Sequence, residues 1–155
     1  MAIDPKDIIT EDRIVDLKSQ KKNEALDELI DLLATSPLVG DKKELREKIC
    51  EREGTLSTGV GAGMAIPHVK IPSIKDFVAA IGRSEEGIDF DSLDGKPTHI
   101  IVMIGCNNTQ SGDFLKVLAR LVTRLKDPEV QNKIMSAKSP AEIRDFFVQP
   151  EGVLV

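Results

Sequence analysis

Residues 100 to 104 read Ile-Ile-Val-Met-Ile, with His99 in front of them. Successive side chains of a strand point to opposite faces, so an apolar run without polar alternation has to be covered on both sides of its sheet. The chain must therefore supply two apolar layers, and it does. Ser111 to Lys126 places Phe114, Leu115, Val117, Leu118, Leu121, Val122 and Leu125 at helical spacing, and Asn23 to Ala34 does the same with Ala25, Leu26, Leu29, Ile30, Leu32 and Leu33, with Asn23 as the expected N-cap. A more polar helix is predicted over Asp41 to Glu53, with Leu45 and Ile49 one turn apart, Arg52 in its last turn and Gly54 as its stop. Short helices are predicted over Glu129 to Ala137, after a break at Asp127-Pro128, and from Ser139-Pro140-Ala141-Glu142, which combines a capping serine, a first-turn proline and a reciprocal glutamate. Further strands are expected over Arg13 to Leu17 and Phe77 to Ile81, with Gly87 to Lys96 as a turn-rich connection. The expected fold is α/β, one layered domain over residues 1–155 with its core at about 8–147, a central sheet flanked by helices on both faces.

Composition excludes several function classes. A net charge of −5, with Lys and Arg scattered, argues against nucleic acid as a partner. The aromatic residues are five Phe, so no Trp or Tyr platform exists for stacking bases or sugars. Cys50 and Cys106 form no CxxC and, with two His, make no recognisable metal spacing; both read as buried free thiols of a reducing compartment. The N-terminus shows no basic segment followed by an apolar core, and no apolar run approaches a membrane span, so a cytoplasmic location without membrane insertion is expected.

The chemistry concentrates in Glu51 to Lys70, EREGTLSTGVGAGMAIPHVK. Four glycines, a proline directly before His68, and Arg52 read as a shaped loop whose converging backbone N–H groups suit an anion. No Lys-Ser or Lys-Thr follows a glycine as in a P-loop. A dinucleotide fingerprint fails because Met64 stands where its third glycine belongs, and G-x-S-x-G is absent. What remains is an imidazole able to act as a nucleophile, an arginine able to grip phosphate oxygens, and the hydroxyl pair Ser57-Thr58. Histidines after prolines also serve as plain turn residues, and helix-end arginines as complements of the helix dipole. These residues on their own leave a phosphate-carrying histidine, a binding module and a general-base enzyme all open.

Arg52-Glu53, Ser57-Thr58-Gly59-Val60-Gly61 and Ala65-Ile66-Pro67-His68 with Lys70 resemble the enzyme IIA signature of the fructose/mannitol type in the bacterial phosphoenolpyruvate-dependent phosphotransferase system. The likeness extends over nearly the whole chain, including Ile8 to Leu33 and Gly87 to Pro97, and its opening is most similar to the nitrogen-regulatory branch. The resemblance implies a mixed sheet, no metal or nucleotide cofactor, and a histidine, His68, phosphorylated by the histidine-containing phosphocarrier protein, with Arg52 as active-site arginine. Ser57 and Thr58 are then candidate phosphate-binding donors, and an enzyme IIB or a regulated protein the expected recipient. The alternative within the family is a regulatory module whose partner choice follows His68 phosphorylation. One departure is expected to matter: the second active-site histidine common in such proteins falls on Phe114. His99 does not match it and reads as a polar residue at a strand head, and Asp113 as a helix N-terminal residue near the positive dipole end.

Overall fold

The computed structural model describes residues 8–55 and 58–148. After a 3-10 turn at Glu11–Arg13 come strand β1 (Ile14–Asp16), helices α1 (Lys22–Leu33) and α2 (Lys42–Thr55), and four strands, β2 (Gly59–Gly61), β3 (Met64–Ala65), β4 (His68–Lys70) and β5 (Val78–Ile88). Strand β6 (Thr98–Cys106) precedes three helices, α3 (Ser111–Leu125), α4 (Pro128–Ser136) and α5 (Pro140–Val148). All six strands join one sheet in the order β1-β5-β6-β3-β2, with β4 also paired to β6. It is a mixed sheet: β5 and β6 are antiparallel, whereas β1 runs parallel to β5, and β3 and β4 both run parallel to β6.

Strand β6 lies at the centre, as its apolar run requires. Its residues 100 to 106 are buried, and they alternate between two cores. Ile100, Val102, Ile104 and Cys106 face one layer with Phe114, Val117, Leu121, Ile134 and Phe147, whereas Ile101 and Met103 face the other with Leu26, Leu29, Ile30, Leu33, Leu45 and Ile49. Helices α3, α4 and α5 thus cover one face and α1 and α2 the other.

The structure corrects several local expectations. Helix α1 is capped two residues earlier than expected, by Lys21 rather than Asn23 and without a side-chain capping bond; a bridge between Lys21 and Asp89 sets where the chain enters. Asp41 caps α2 through its Oδ1, which accepts the Glu44 amide at 3.1 Å. Gly54 does not stop α2: the helix runs through Thr55, and Glu53 reaches forward to Thr58. Strand β5 extends well past Ile81: Gly82 and Arg83 pair with Ile101 and Ile100, the register shifts over the polar stretch between Arg83 and Ile88, where Gly87 lies at φ 92°, and Ile88 resumes against Thr98. Cys50 is exposed, not buried; it follows Ile49 on α2, and one residue's rotation carries it off the core face. Cys106 is buried as expected, and burial pushes its thiol up to about 11.

The capping signals are realised in the structure. The Glu142 amide donates to Ser139 Oγ at 3.2 Å, while Glu142 Oε2 accepts the Lys138 amide at 3.0 Å, the two halves of a capping box displaced by one residue. Asp127 caps α4 by accepting the Glu129 amide at 2.9 Å, with Pro128 at the first helical position.

Candidate active site

The glycine-rich stretch is more ordered than a loop. Gly59 and Gly61 of β2 pair antiparallel with Ala65 and Met64, and Ala62 and Gly63 connect them at φ 56° and 81°. Two positive φ values in a two-residue connection give a type I′ hairpin, whose twist matches that of its strands. Asp94 Oδ2 accepts the Ala62 amide at 3.1 Å and so supports an alanine where asparagine or glycine is usual. Gly59 has a different reason: a Cβ there would lie 2.6 Å from Ser92 Oγ and 3.2 Å from the Phe90 carbonyl oxygen, so the 90–93 segment closes over it.

After the hairpin the chain follows the same edge of β6 in two steps. Met64 and Ala65 pair with Ile100 and Ile101, Ile66 and Pro67 interrupt, and His68, Val69 and Lys70 resume against Ile104, Gly105 and Cys106. Alternation then decides which way the site looks. Val69 is buried in the α1/α2 core, so His68 and Lys70 point to the α3 face.

The His68 ring is held from two sides. Its Nδ1 lies 2.8 Å from the Ile66 carbonyl oxygen; a carbonyl only accepts, so Nδ1 carries the proton and Nε2 keeps its lone pair. Beside it stands Phe114, from the first turn of α3, with ring centroids 5.4 Å apart and planes at 47°. Phe114 is 3 % exposed, and the turn before it is anchored: Gln110 donates to Asp76 Oδ1 at 2.9 Å and Asn107 Nδ2 to the Ile74 carbonyl at 2.9 Å. Partial burial is the main reason the His68 pKa lies below its ordinary value of 6.5; the Ile66 carbonyl opposes this, and the charges of Arg52 and Lys70 add to it while that of Glu53 offsets part. The ring is thus predominantly neutral at neutral pH.

Arg52 arrives from the other face, in the last turn of α2, which packs against β4. The next residue fixes that turn. Glu53 is buried; its Oε2 pairs with Lys22 Nζ at 3.0 Å and accepts the Thr58 amide at 3.1 Å, while Oε1 accepts the Thr58 hydroxyl. Lys22 in turn lies 4.6 Å over the Phe90 ring. Thr58 therefore gives both its donors to Glu53 and holds the end of the Arg52 helix, a role its place beside a serine did not suggest. Ser57 lies outside the described residues. His99 is remote from His68: its Nδ1 meets the Ser84 carbonyl at 2.8 Å and its amide the Gly63 carbonyl at 2.8 Å, the strand-head role expected of it. Asp113 sits in the first turn of α3, as expected.

Two further residues mark the surface around this site. Lys70 is exposed, with its Nζ 5.4 Å from the Phe114 centroid, and Leu115, next along α3, is 67 % exposed. Periodicity predicts Leu115 in the core, but it follows Phe114 by one residue and so turns away from it. Among the described residues no helix is long and apolar enough to cross a membrane, and no three His, Cys, Asp or Glu side chains gather as for a metal ion.

Comparison with known proteins identifies the family and supports the fold. Residues 7–149 match the family described as "Phosphoenolpyruvate-dependent sugar phosphotransferase system, EIIA 2". The chain is 35% identical over 87% of its length to the PTS system fructose-specific EIIABC component of Bacillus subtilis, of which it spans only 21%. It is 30% identical to the nitrogen regulatory protein of Bradyrhizobium diazoefficiens, with 86% of this chain and 87% of that one covered. The crystal structure of the nitrogen regulatory protein IIA-Ntr from Neisseria meningitidis superposes with a TM-score of 0.85 at 29% identity, covering 92% and 97% of the two chains. With sugar-transport and nitrogen-regulatory relatives both on this fold, the chain belongs to the EIIA 2 family of the phosphoenolpyruvate-dependent phosphotransferase system.

Proposed function

We propose that this protein is a phosphocarrier that takes a phosphoryl group onto His68 Nε2 from a histidine-containing phosphocarrier protein and either passes it on or displays it as a signal. The observation that carries the proposal is the 2.8 Å contact of Nδ1 with the Ile66 carbonyl, which leaves Nε2 as the ring's nucleophile. The steps balance without acid or base catalysis. The N–P bond of the donor breaks with its electron pair left on the donor ring, and the Nε2 lone pair of His68 forms the new N–P bond. The Nδ1 proton stays where it is, facing the carbonyl.

Phosphoryl transfer needs positioning and neutralisation of charge more than covalent help. Arg52 is the clamp in this reading, since a guanidinium presents a planar fork to phosphate oxygens. Thr58 contributes indirectly, by holding Glu53 and with it the turn that carries Arg52. Phe114 neither donates a hydrogen bond nor titrates, so it supplies a dry wall where related proteins of the resemblance place an imidazole. The recipient is an enzyme IIB, as the naming of the fused fructose component suggests, or a regulated protein, as the nitrogen-regulatory relatives suggest.

Intact-protein mass spectrometry at mildly alkaline pH, after incubation with phosphoenolpyruvate, enzyme I and the phosphocarrier protein, tests this directly. The wild type is expected to gain one phosphoryl mass, and His68→Ala none while remaining folded. Labelling of His68→Ala to the wild-type level would remove His68 from the role. Arg52→Ala is expected to take up phosphate roughly a hundredfold more slowly, the scale on which one charge-stabilising donor contributes; an unchanged rate would take Arg52 out of the clamp.

A further inference from the structure

Lys70 is not absorbed by the account above, yet it stands inside the site. It lies two residues after His68 on the same short strand, and side chains two apart on a strand share a face. Both side chains converge on one ring: the His68 and Phe114 centroids are 5.4 Å apart, and Lys70 Nζ is 5.4 Å from the same Phe114 centroid. We propose that Lys70 is a second phosphate-binding cation of the site, held on the Phe114 face so that its ammonium meets an oxygen of the phosphoryl group carried by His68.

This rests on the phosphocarrier reading and extends it to a residue which that reading leaves idle. Three physical points support it. First, an ammonium over an aromatic face within about 6 Å is attracted by the ring quadrupole, which gives a long and flexible side chain a resting place beside the nucleophile. Second, the phosphoryl group brings close to two negative charges to an edge of the sheet where Lys70 is solvent-exposed, and an ammonium with three rotatable donors can follow those oxygens as they arrive. Third, the charge of Lys70 already reaches the ring, since it is among the groups that lower the proton affinity of His68. Arg52 comes from α2 and Lys70 lies on the α3 side of β4, so the two cations would approach the phosphoryl group from different faces of the sheet.

Phe114 then acquires a positive role. A phenyl ring cannot bond to phosphate, but it can place a cation that does. The step itself is unchanged in its atoms: Lys70 forms no covalent bond and loses no proton, and it acts only by charge and hydrogen bonding on oxygens that stay bound to phosphorus.

The test compares wild type with Lys70→Met, which keeps the stem and removes the charge, and with Lys70→Arg, which restores charge. Phosphohistidine is made in two ways, from the phosphocarrier protein and from potassium phosphoramidate, a chemical donor that needs no protein partner. Rates of uptake and of hydrolytic loss are followed by intact mass. Lys70→Met is expected to take up phosphate from either donor about tenfold more slowly, as for loss of one charge-assisted hydrogen bond at an exposed site, and Lys70→Arg to recover most of the rate. In the unphosphorylated protein the His68 ring, followed by NMR, is expected to titrate at higher pH in Lys70→Met than in wild type. Uptake and lifetime equal to wild type in Lys70→Met, with the fold intact, would overturn the proposal. If phosphoramidate labels His68 and the carrier protein does not, the donor assignment fails and the Lys70 comparison still decides. If neither donor labels His68, both readings fall.

Discussion

His68 has neighbours that act in different directions. Burial and the cations disfavour its charged form, and the Ile66 carbonyl fixes its proton on Nδ1. Because folding lowers its pKa, the unfolded chain binds more protons than the folded one between the folded value and 6.5. The contribution of His68 is therefore fully present above pH 6.5, falls as pH drops toward the folded value, and is lost below it. The urea midpoint is expected to fall between pH 7.5 and 5.5 by less in His68→Gln than in wild type; an equal fall would mean that the ring titrates as in the unfolded chain. Glu53 carries a second prediction. Removing a buried carboxylate strands Lys22 and frees Thr58, so Glu53→Ala is expected to cost about 2 kcal/mol in chemical denaturation and to slow phosphoryl uptake through Arg52. A loss of stability with uptake unaffected would show that this turn does not position Arg52. His68 and Arg52 stood out as candidates because both lie in one long motif, whereas the place of Phe114 beside His68 was expected only from the resemblance. The contacts of Thr58 with Glu53 and of Lys70 with Phe114 were not legible, since each depends on where a fold brings separate elements together.

Among elements, the helices and the two long strands were readable because apolar spacing and caps declare them. The short strands β2, β3 and β4 were not, since two or three residues carry no period and glycine is a poor strand former. They exist because β6 offers its edge to be paired. The polar half of β5 was hidden for a similar reason: Arg83 pairs with Ile100, Ser84 to Gly87 fall in a register shift, and pairing resumes only at Ile88 with Thr98. The hairpin offers its own test. Ala62 at φ 56° occupies a left-handed position that costs an alanine more than an asparagine, so Ala62→Asn is expected to raise stability by about 0.5 kcal/mol. A lower melting temperature would mean that the bond from its amide to Asp94 depends on the alanine.

The whole molecule is a sheet covered on both faces, with the site at the edge where β4 resumes after the break at Pro67. Arg83 ties the far side together: it grips Asp16 of β1 at 2.7 and 3.2 Å and donates to the Ile134 and Ala137 carbonyls at the end of α4 at 2.9 and 2.6 Å. Its guanidinium thus joins sheet edge to helix layer, and no sequence period could have announced it. Arg83→Met is expected to cost about 2 kcal/mol and to leave phosphoryl uptake unchanged, because the site lies toward the other end of β6. In the proposed phosphocarrier, the fold would select one nitrogen of one ring. The direct measurement is long-range ¹H–¹⁵N NMR of the phosphorylated protein labelled with ¹⁵N-histidine. Phosphorus is expected on Nε2 of His68 with the Nδ1 proton retained; phosphorus on Nδ1, or on a ring other than His68, would contradict the phosphocarrier reading.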